Sequence, residues 1–480
     1  VTSHQYSSVG GASVAARLNR LPITRLHLFA VVIVGIGVFF EMYELFLAGT
    51  LGSVLTREYG IANGSTAQKL MLSSALIGAF IGAIWLNRIA DRFGRRRAFF
   101  LTLSLYSVFS VLGAFSPNIE ILVICRFIAG IGVGGELPLV DAYLSDLLPA
   151  RVRGKFIGWA YTVGLLAVPG VGFLARGIST KSDVWGLAGW RWMFIIGGLG
   201  AAICWALRRF LPESPRWLES VGRTKEADAI VSRFERRAIA ETGTLPEPDR
   251  TEAAPIGRAR VRELFEPRWR KRTIMLWVFH FLQNFGFGSF GILAPIVLTV
   301  KGFDLNTGLV YAAITYIGYP VGSLLSLPII ERIERRTLVM LSSAGMIVCG
   351  LVFGFTNSEW LLLTAGFLYT AISNIFSNAY HVYQGELFPT QLRATGAGTG
   401  YSVSRIAGAV QPFVLLPLLK GYGSGAMFIG ISVIMALLII NIAAFGPRTT
   451  GRSLEEVNAT KDDDTVLTET PAPTKALSQD

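Results

Sequence analysis

Two glutamates three positions apart, Glu41 and Glu44, stand inside a long apolar run. On a helix that spacing places both on one face. Neighbouring carboxylates in a low-dielectric setting repel when both are ionised, so one is expected to hold a proton. A group that passes between neutral and charged forms within an apolar wall is what proton coupling requires. Arg126, in a different apolar run, is the expected partner. Glu44 and Arg126 each lie seven residues below the same boundary, roughly 10 Å at the helical rise of about 1.5 Å per residue. Protonating Glu44 would free Arg126 or let it engage an anionic ligand.

A second set of polar residues interrupts the apolar runs of the C-terminal half: Gln283, Asn284, Tyr316, Tyr319, Asn374, Asn378 and Arg405. Asn374 and Asn378, four apart, face the same way on a helix. Amides, tyrosines and one buried arginine suit a small carboxylate or polyol. The competing reading is that the amides hydrogen-bond helices to one another. His280 and His381 read as packing residues, and Glu136 stays unassigned. Asp141 groups with Asp146 near the end of its run. Gly130, Gly132, Gly134 and Gly135 follow no strand and precede no Lys-Ser/Thr, so they predict close helix packing, not a phosphate loop. No spacing of His, Cys and Asp suggests a metal, and no Ser/His/Asp set has a hydrolase context. Neither a metal, a cofactor nor an enzymatic reaction is expected.

These residues need elements that hold them inside an apolar medium. Of 480 residues, 52% are hydrophobic and only 16% charged, where soluble domains carry about a quarter. Apolar runs of about 20 residues span a bilayer as helices. Twelve are legible, at 26–51, 67–88, 98–116, 119–142, 155–178, 190–211, 273–299, 308–330, 337–356, 359–385, 395–419 and 424–446. The expected fold is therefore an all-α membrane protein with two six-helix bundles, 26–211 and 273–446. A polar linker (212–272) joins them, an N-terminal segment (1–25) precedes them and a disordered tail (447–480) follows. With the N-terminus inside, the inner loops and termini hold 35 Lys and Arg and the outer loops 7. That asymmetry puts both termini in the cytoplasm. The net charge of +12 sits between apolar runs, which suits topology and lipid headgroups and excludes nucleic acid. Cys125, Cys204 and Cys349 lie inside apolar runs and read as packing residues.

The chain also repeats itself. Asp91-Arg92 with Arg95-Arg96 recurs 240 positions later as Glu331-Arg332 with Arg335-Arg336. Asp146 with Arg153 recurs at the same offset as Glu386 with Arg393. Parallel six-helix repeats with a site between them are a transporter architecture.

These motifs resemble the major facilitator superfamily over nearly the whole chain. Arg126-Phe127 with the following glycines, and Pro212-Glu213-Ser214-Pro215-Arg216-Trp217-Leu218, are similar to its sugar-porter-like branch. Glu41-Met42-Tyr43-Glu44 resembles the paired acids of metabolite:proton symporters, including aromatic-acid and nicotinate carriers and synaptic-vesicle-protein relatives. The resemblance implies a cytoplasmic gate built from Asp91, Arg92, Arg95, Asp146, Arg153, Glu213, Arg216, Glu331, Arg332, Glu386 and Arg393. It implies a monomer in the plasma membrane, in contact with lipid. Its expected activity is import of a small polar metabolite with protons, an organic (aromatic) acid foremost. A sugar or polyol symporter, an efflux antiporter and a non-transporting sensor are the alternatives.

Overall fold

The computed structural model describes residues 13–248, 261–330, 332–388 and 390–448. Glu331, the side chain of Arg393 and the tail from 449 onward lie outside the described residues. Within them the elements are helical, apart from one isolated bridge, Val184–Leu187. The helices are α1 (Val14–Asn19), α2 (Arg25–Glu58), α3 (Thr66–Phe93), α4 (Arg95–Ala114), α5 (Ile119–Leu147), α6 (Ala150–Leu165), α7 (Ala167–Ile178) and α8 (Gly189–Arg208). They continue as α9 (Pro215–Ser220), α10 (Thr224–Thr242), α11 (Pro267–Val300), α12 (Leu305–Tyr316), α13 (Gly318–Ile330), α14 (Arg335–Phe355), α15 (Glu359–Glu386) and α16 (Thr390–Phe445).

Eleven helical stretches among the described residues are long and apolar enough to cross a membrane. The last of them, in α16, breaks at Gly423 (φ 84°, ψ 179°), between the last two runs read from the sequence. Two other runs carry an internal break. Pro169 has no N–H to give the carbonyl of Leu165, where α6 ends, and Pro320 has none for Tyr316, where α12 ends. Helix starts are set by side chains. Ser65, Asn118 and Asp304 accept from the amides of Gln68, Ile121 and Thr307 at 3.3, 3.0 and 3.1 Å, satisfying amides that a helix start leaves free.

Close packing rests on small residues. α5 lies against α3 so tightly that a Cβ on Gly130 or Gly134 would collide with the carbonyls of Ala75 or Ala79. Gly78 and Gly82 return the contact from α3 toward Phe127 and Ile131 of α5. This small-xxx-small stripe brings backbones together where burial of apolar surface alone supplies little drive. α4 packs on α5 and α8, while α11 packs on α16 and α14 packs on α15. Contacts between the N- and C-terminal sets run through α2–α11, α3–α16 and α7–α12. Hydrogen bonds between the sets include Thr299 to Ser53 at 3.2 Å and Thr180 to Asn306 at 2.9 Å.

The polar linker carries structure that hydropathy does not announce. Ala227, Val231, Phe234 and Ala238 form the buried stripe of α10, spaced four, three and four as an amphipathic helix requires. The short helix α1 docks there. Arg17 pairs with Asp228 and, at 2.6 Å, with Glu235, which Arg20 also reaches at 2.5 Å. Burial pushes the Glu235 carboxyl up, but hydrogen bonds and charge from Arg17 and Arg20 outweigh it and hold the carboxyl below its ordinary value. Such a group stabilises the fold above its unfolded pKa and loses that contribution as pH falls through the lower, folded value. Spin labels at Ala15 and Ala229 should therefore keep a narrow α1–α10 distance at neutral pH. The distribution should broaden only below the usual glutamate range, about pH 4.3. Broadening already at neutral pH would show that the clamp does not depend on Glu235.

Candidate functional site

α2 carries both paired acids. Glu44 accepts from Arg126 of α5 at 2.8 Å, and each side chain is only 2% exposed. Ser110 of α4 donates to the second Glu44 oxygen at 3.1 Å, and the Arg126 guanidinium lies 5.6 Å from the Phe194 ring centroid. Equal depth in the sequence thus becomes a direct contact. Glu41, 1% exposed, differs: neither oxygen has a hydrogen-bond partner among the described residues. It lies within electrostatic reach of Glu136, Arg405, Arg208 and Asp141.

Neither Glu136 nor Arg208, near the end of the run 190–211, has a partner that the sequence names. The structure pairs them, both buried, with Thr102 donating to Glu136 at 2.8 Å and Arg208 lying 4.0 Å above the Phe99 ring centroid. A signal existed. Glu136 is 17 residues into α5 and Arg208 is 19 into α8, counted from ends on the same side. That is roughly equal depth at about 1.5 Å per residue, the same argument that joins Glu44 to Arg126.

The C-terminal candidates divide by what their polar atoms do. Tyr316 donates to the Gly291 carbonyl at 2.7 Å, and Asn378 donates to Ser326 at 2.6 Å. The Asn284 amide is spent on the Ser404 carbonyl. Gln283, Asn374 and Tyr319 are buried yet each keeps a polar atom with no partner among the described residues. Phe46 of α2 stands edge-on to Tyr316 and Tyr319, with centroids 6.0 and 5.6 Å apart. Arg405, 8% exposed, donates to the Tyr401 hydroxyl at 2.7 Å and lies 4.8 Å over its ring, while its Nε has no partner among the described residues. His280 faces Gln384 at 2.9 Å and His381 faces the Ser377 carbonyl at 2.7 Å.

One grouping needs correction. Asp141 does not join Asp146: it is exposed and accepts from Tyr161 at 3.1 Å. Asp146 belongs to the charge network at the end of α3. Arg95 reaches Asp91 at 2.5 Å and Asp146 at 3.4 Å, and Ser214 donates to Asp146 at 2.8 Å. Glu213 accepts from the backbone amides of Arg95 and Arg96 at 2.9 and 3.2 Å, capping α4 from another segment where the helix dipole favours an anion. Burial pushes the Glu213 carboxyl above its ordinary value, and those amides offset only part of it. Gly94 (φ 103°) supplies the left-handed turn, and a Cβ there would strike Glu213. Arg216 donates to Asn19 at 3.1 Å, Arg153 is half-buried at the start of α6, and Arg92 and Arg332 are exposed. The second half repeats the geometry, with Arg335 at 3.4 Å from Glu386. Both partners sit 240 positions after Arg95 and Asp146. Glu331 and the Arg393 side chain lie outside the described residues. Among the described residues no group of three His, Cys, Asp or Glu is placed to hold a metal.

Residues 29–460 match the sugar (and other) transporter family. The chain belongs to that family. It is a multi-pass membrane transporter of the major facilitator superfamily, in the sugar-porter-like branch, and not an enzyme. The transporter is 30% identical over 447 residues to YyaJ of Bacillus subtilis (strain 168), named for metabolite transport, covering 92% of this chain and 97% of that one. It is 27% identical to the niacin transporter NiaP of Acinetobacter baylyi, covering 92% and 99%. Its fold is similar to that of the xylose transporter XylE from E. coli, whose structure was solved in a partially occluded inward-open conformation. The TM-score is 0.72 at 20% identity, over 89% of this chain and 99% of that one.

Within the transporter the Glu44–Arg126 pair should be costly to break from one side. Arg126→Leu leaves a buried carboxylate unpaired and should destabilise by about 3–5 kcal/mol. Glu44→Gln with Arg126→Gln should recover most of that loss. Thermal unfolding of the detergent-solubilised protein checks it, and equal midpoints for the single and double variants would show that the pair is not coupled.

Proposed function

We propose that the transporter imports a small organic acid, an aromatic carboxylate foremost, together with a proton, by alternating access. The observation that carries this reading is the state of the two α2 carboxyls. Glu44 is tied to Arg126, whereas Glu41 is buried with no hydrogen-bond partner among the described residues, a setting that favours the neutral acid. One member of the pair is thus held for charge and the other for a proton. Arg405, part of whose guanidinium has no partner among the described residues, is the group to receive the substrate carboxylate. Gln283, Asn284, Tyr316, Asn374 and Asn378 surround the ring or polar edge. The niacin transporter among the relatives supports an aromatic acid as the cargo class.

In this reading the chain crosses the membrane twelve times, counting α16 once on each side of Gly423, and both termini are cytoplasmic. Residues 26–211 and 273–446 form the two halves, 212–272 is a cytoplasmic linker, and the monomer works in contact with lipid. The halves rock about the central site. The sets around Asp91, Arg92, Arg95, Asp146, Arg153, Glu213 and Arg216, and around Glu331, Arg332, Glu386 and Arg393, hold the cytoplasmic face shut when the outer face is open. The repeated geometry of Arg95–Asp146 and Arg335–Glu386 supports a matched role for the two sets. Substrate and proton shift the equilibrium because both bind one state better.

Purified protein in liposomes tests this with labelled nicotinate, hydroxybenzoate, shikimate, xylose, glucose and inositol, with and without an imposed proton gradient. The expected result is uptake of an acid beyond equilibrium, abolished in Glu41→Gln and in Glu44→Gln and reduced about tenfold in Arg405→Gln. Gradient-independent uptake would reduce Glu41 and Glu44 to structural roles. Accumulation of a sugar instead would move the cargo to the polyol class.

A further inference from the structure

A small cavity lies between α2, α4 and α5, lined by Gly37, Glu41, Thr102, Tyr106, Gly132 and Glu136 among others. Its volume is about 10 Å3 for the centre of a water-sized sphere, which is room for one water. Two carboxyls that the sequence does not pair therefore line one chamber, whose other walls include the apolar Leu103 and Val133. Both oxygens of Glu41 are buried and without a hydrogen-bond partner among the described residues. Thr102 donates across the chamber to Glu136 at 2.8 Å, and Tyr106 is anchored to the carbonyls of Phe40 and Gly197 at 2.9 and 3.1 Å.

We propose that Glu136 is a second proton acceptor, joined to Glu41 through one water in this chamber, and that gaining a proton releases Arg208. The inference rests on the proton-symport reading of α2 and extends it to α5 and α8. In the step, protonated Glu41 gives its proton to the water while the water gives one to Glu136. Glu41 is left as the carboxylate, Glu136 becomes the neutral acid, and the water is unchanged. The ion pair between Glu136 and Arg208 then loses its negative partner. Arg208 is packed over Gly37 so closely that a Cβ there would collide with Nη2. Its release is therefore felt directly by α2, the helix that carries Glu41 and Glu44. Around Glu136 stand Glu41 from α2, Thr102 from α4, and Cys204 and Arg208 from α8, with Tyr106 of α4 lining the same cavity. At this level α3 presents Leu86, beside Gly135. Arg405 from α16 and Asp141 act on Glu41 at the other end of the path.

Infrared difference spectroscopy of the liposome-reconstituted protein, recorded across a pH step, reads protonated buried carboxyls directly and needs no substrate. Glu41→Gln, Glu44→Gln, Thr102→Val and the double variant Glu136→Gln/Arg208→Gln are compared with the parent. The double substitution removes both buried charges together, which is far milder than orphaning one. The expected result is loss of one protonated-carboxyl component in the double variant and a shift of that same component in Thr102→Val, where only the hydroxyl donor is gone. If the Glu136/Arg208 variant keeps every component while Glu41→Gln or Glu44→Gln loses one, Glu136 is structural and the proposal is overturned with the symport reading intact. If no carboxyl in any variant takes up a proton, the symport reading falls and this inference falls with it. Should the double variant fail to fold by size-exclusion chromatography, Thr102→Val decides, since an unmoved band there overturns the proposal.

Discussion

A charge inside an apolar slab has to be answered by another charge or by a proton, and this requirement organises the N-terminal half. α5 carries Arg126 and Glu136, of opposite sign, ten residues apart. Each is answered from a different neighbour, Glu44 of α2 and Arg208 of α8. The two pairs tie α2, α5 and α8 at two depths, and Thr102 and Ser110 add α4 at both. Removing one charge from either pair leaves its partner stranded, so these helices cannot be rearranged independently. The glycine stripe between α3 and α5 serves the same end, because it fixes α5 against α3 at backbone distance and so fixes where its charges point.

Much of this was readable from the residues, because the bilayer imposes simple rules. Apolar length marks the membrane-crossing stretches, eleven of which stand as long apolar helices among the described residues, and a common depth count gives the Glu44–Arg126 contact. The 240-residue repeat became matched geometry in Arg95–Asp146 and Arg335–Glu386. What was hidden depends on direction, which periodicity does not supply. Glu136 and Arg208 satisfy the same depth count, but Arg208 ends α8 beside the charges of the linker and does not stand out from them. Asp141 is five residues from Asp146, on a different face, and so bonds to Tyr161 instead of joining the Arg95 network. The helices α1 and α10 escaped because hydropathy ranks a short amphipathic helix as loop.

The C-terminal half obeys the rule differently. Its buried groups are mostly amides and hydroxyls, for which an unmet hydrogen bond costs far less than an unmet charge. Tyr316 and Asn378 are satisfied internally, whereas Gln283, Asn374 and Tyr319 each keep a polar atom without a partner among the described residues. A half that holds neutral polar groups in reserve is suited to a ligand that brings its own donors and acceptors, and a half that holds ionisable groups is suited to protons.

Glu41 and Arg405 are where these two economies meet. They stand on opposite halves, within electrostatic reach of each other, and neither has its full set of partners among the described residues. If Glu41 is ionised, it stabilises Arg405 and competes with any incoming carboxylate. If Glu41 is neutral, Arg405 keeps an uncompensated charge that an anionic substrate would satisfy. On the proposed reading, proton and substrate therefore favour each other through one long-range interaction, with no contact between their sites. Because such coupling is reciprocal, substrate bound at Arg405 must also raise the affinity of Glu41 for its proton. An ordinary buried ion pair would lack this property, since each group would already own its partner.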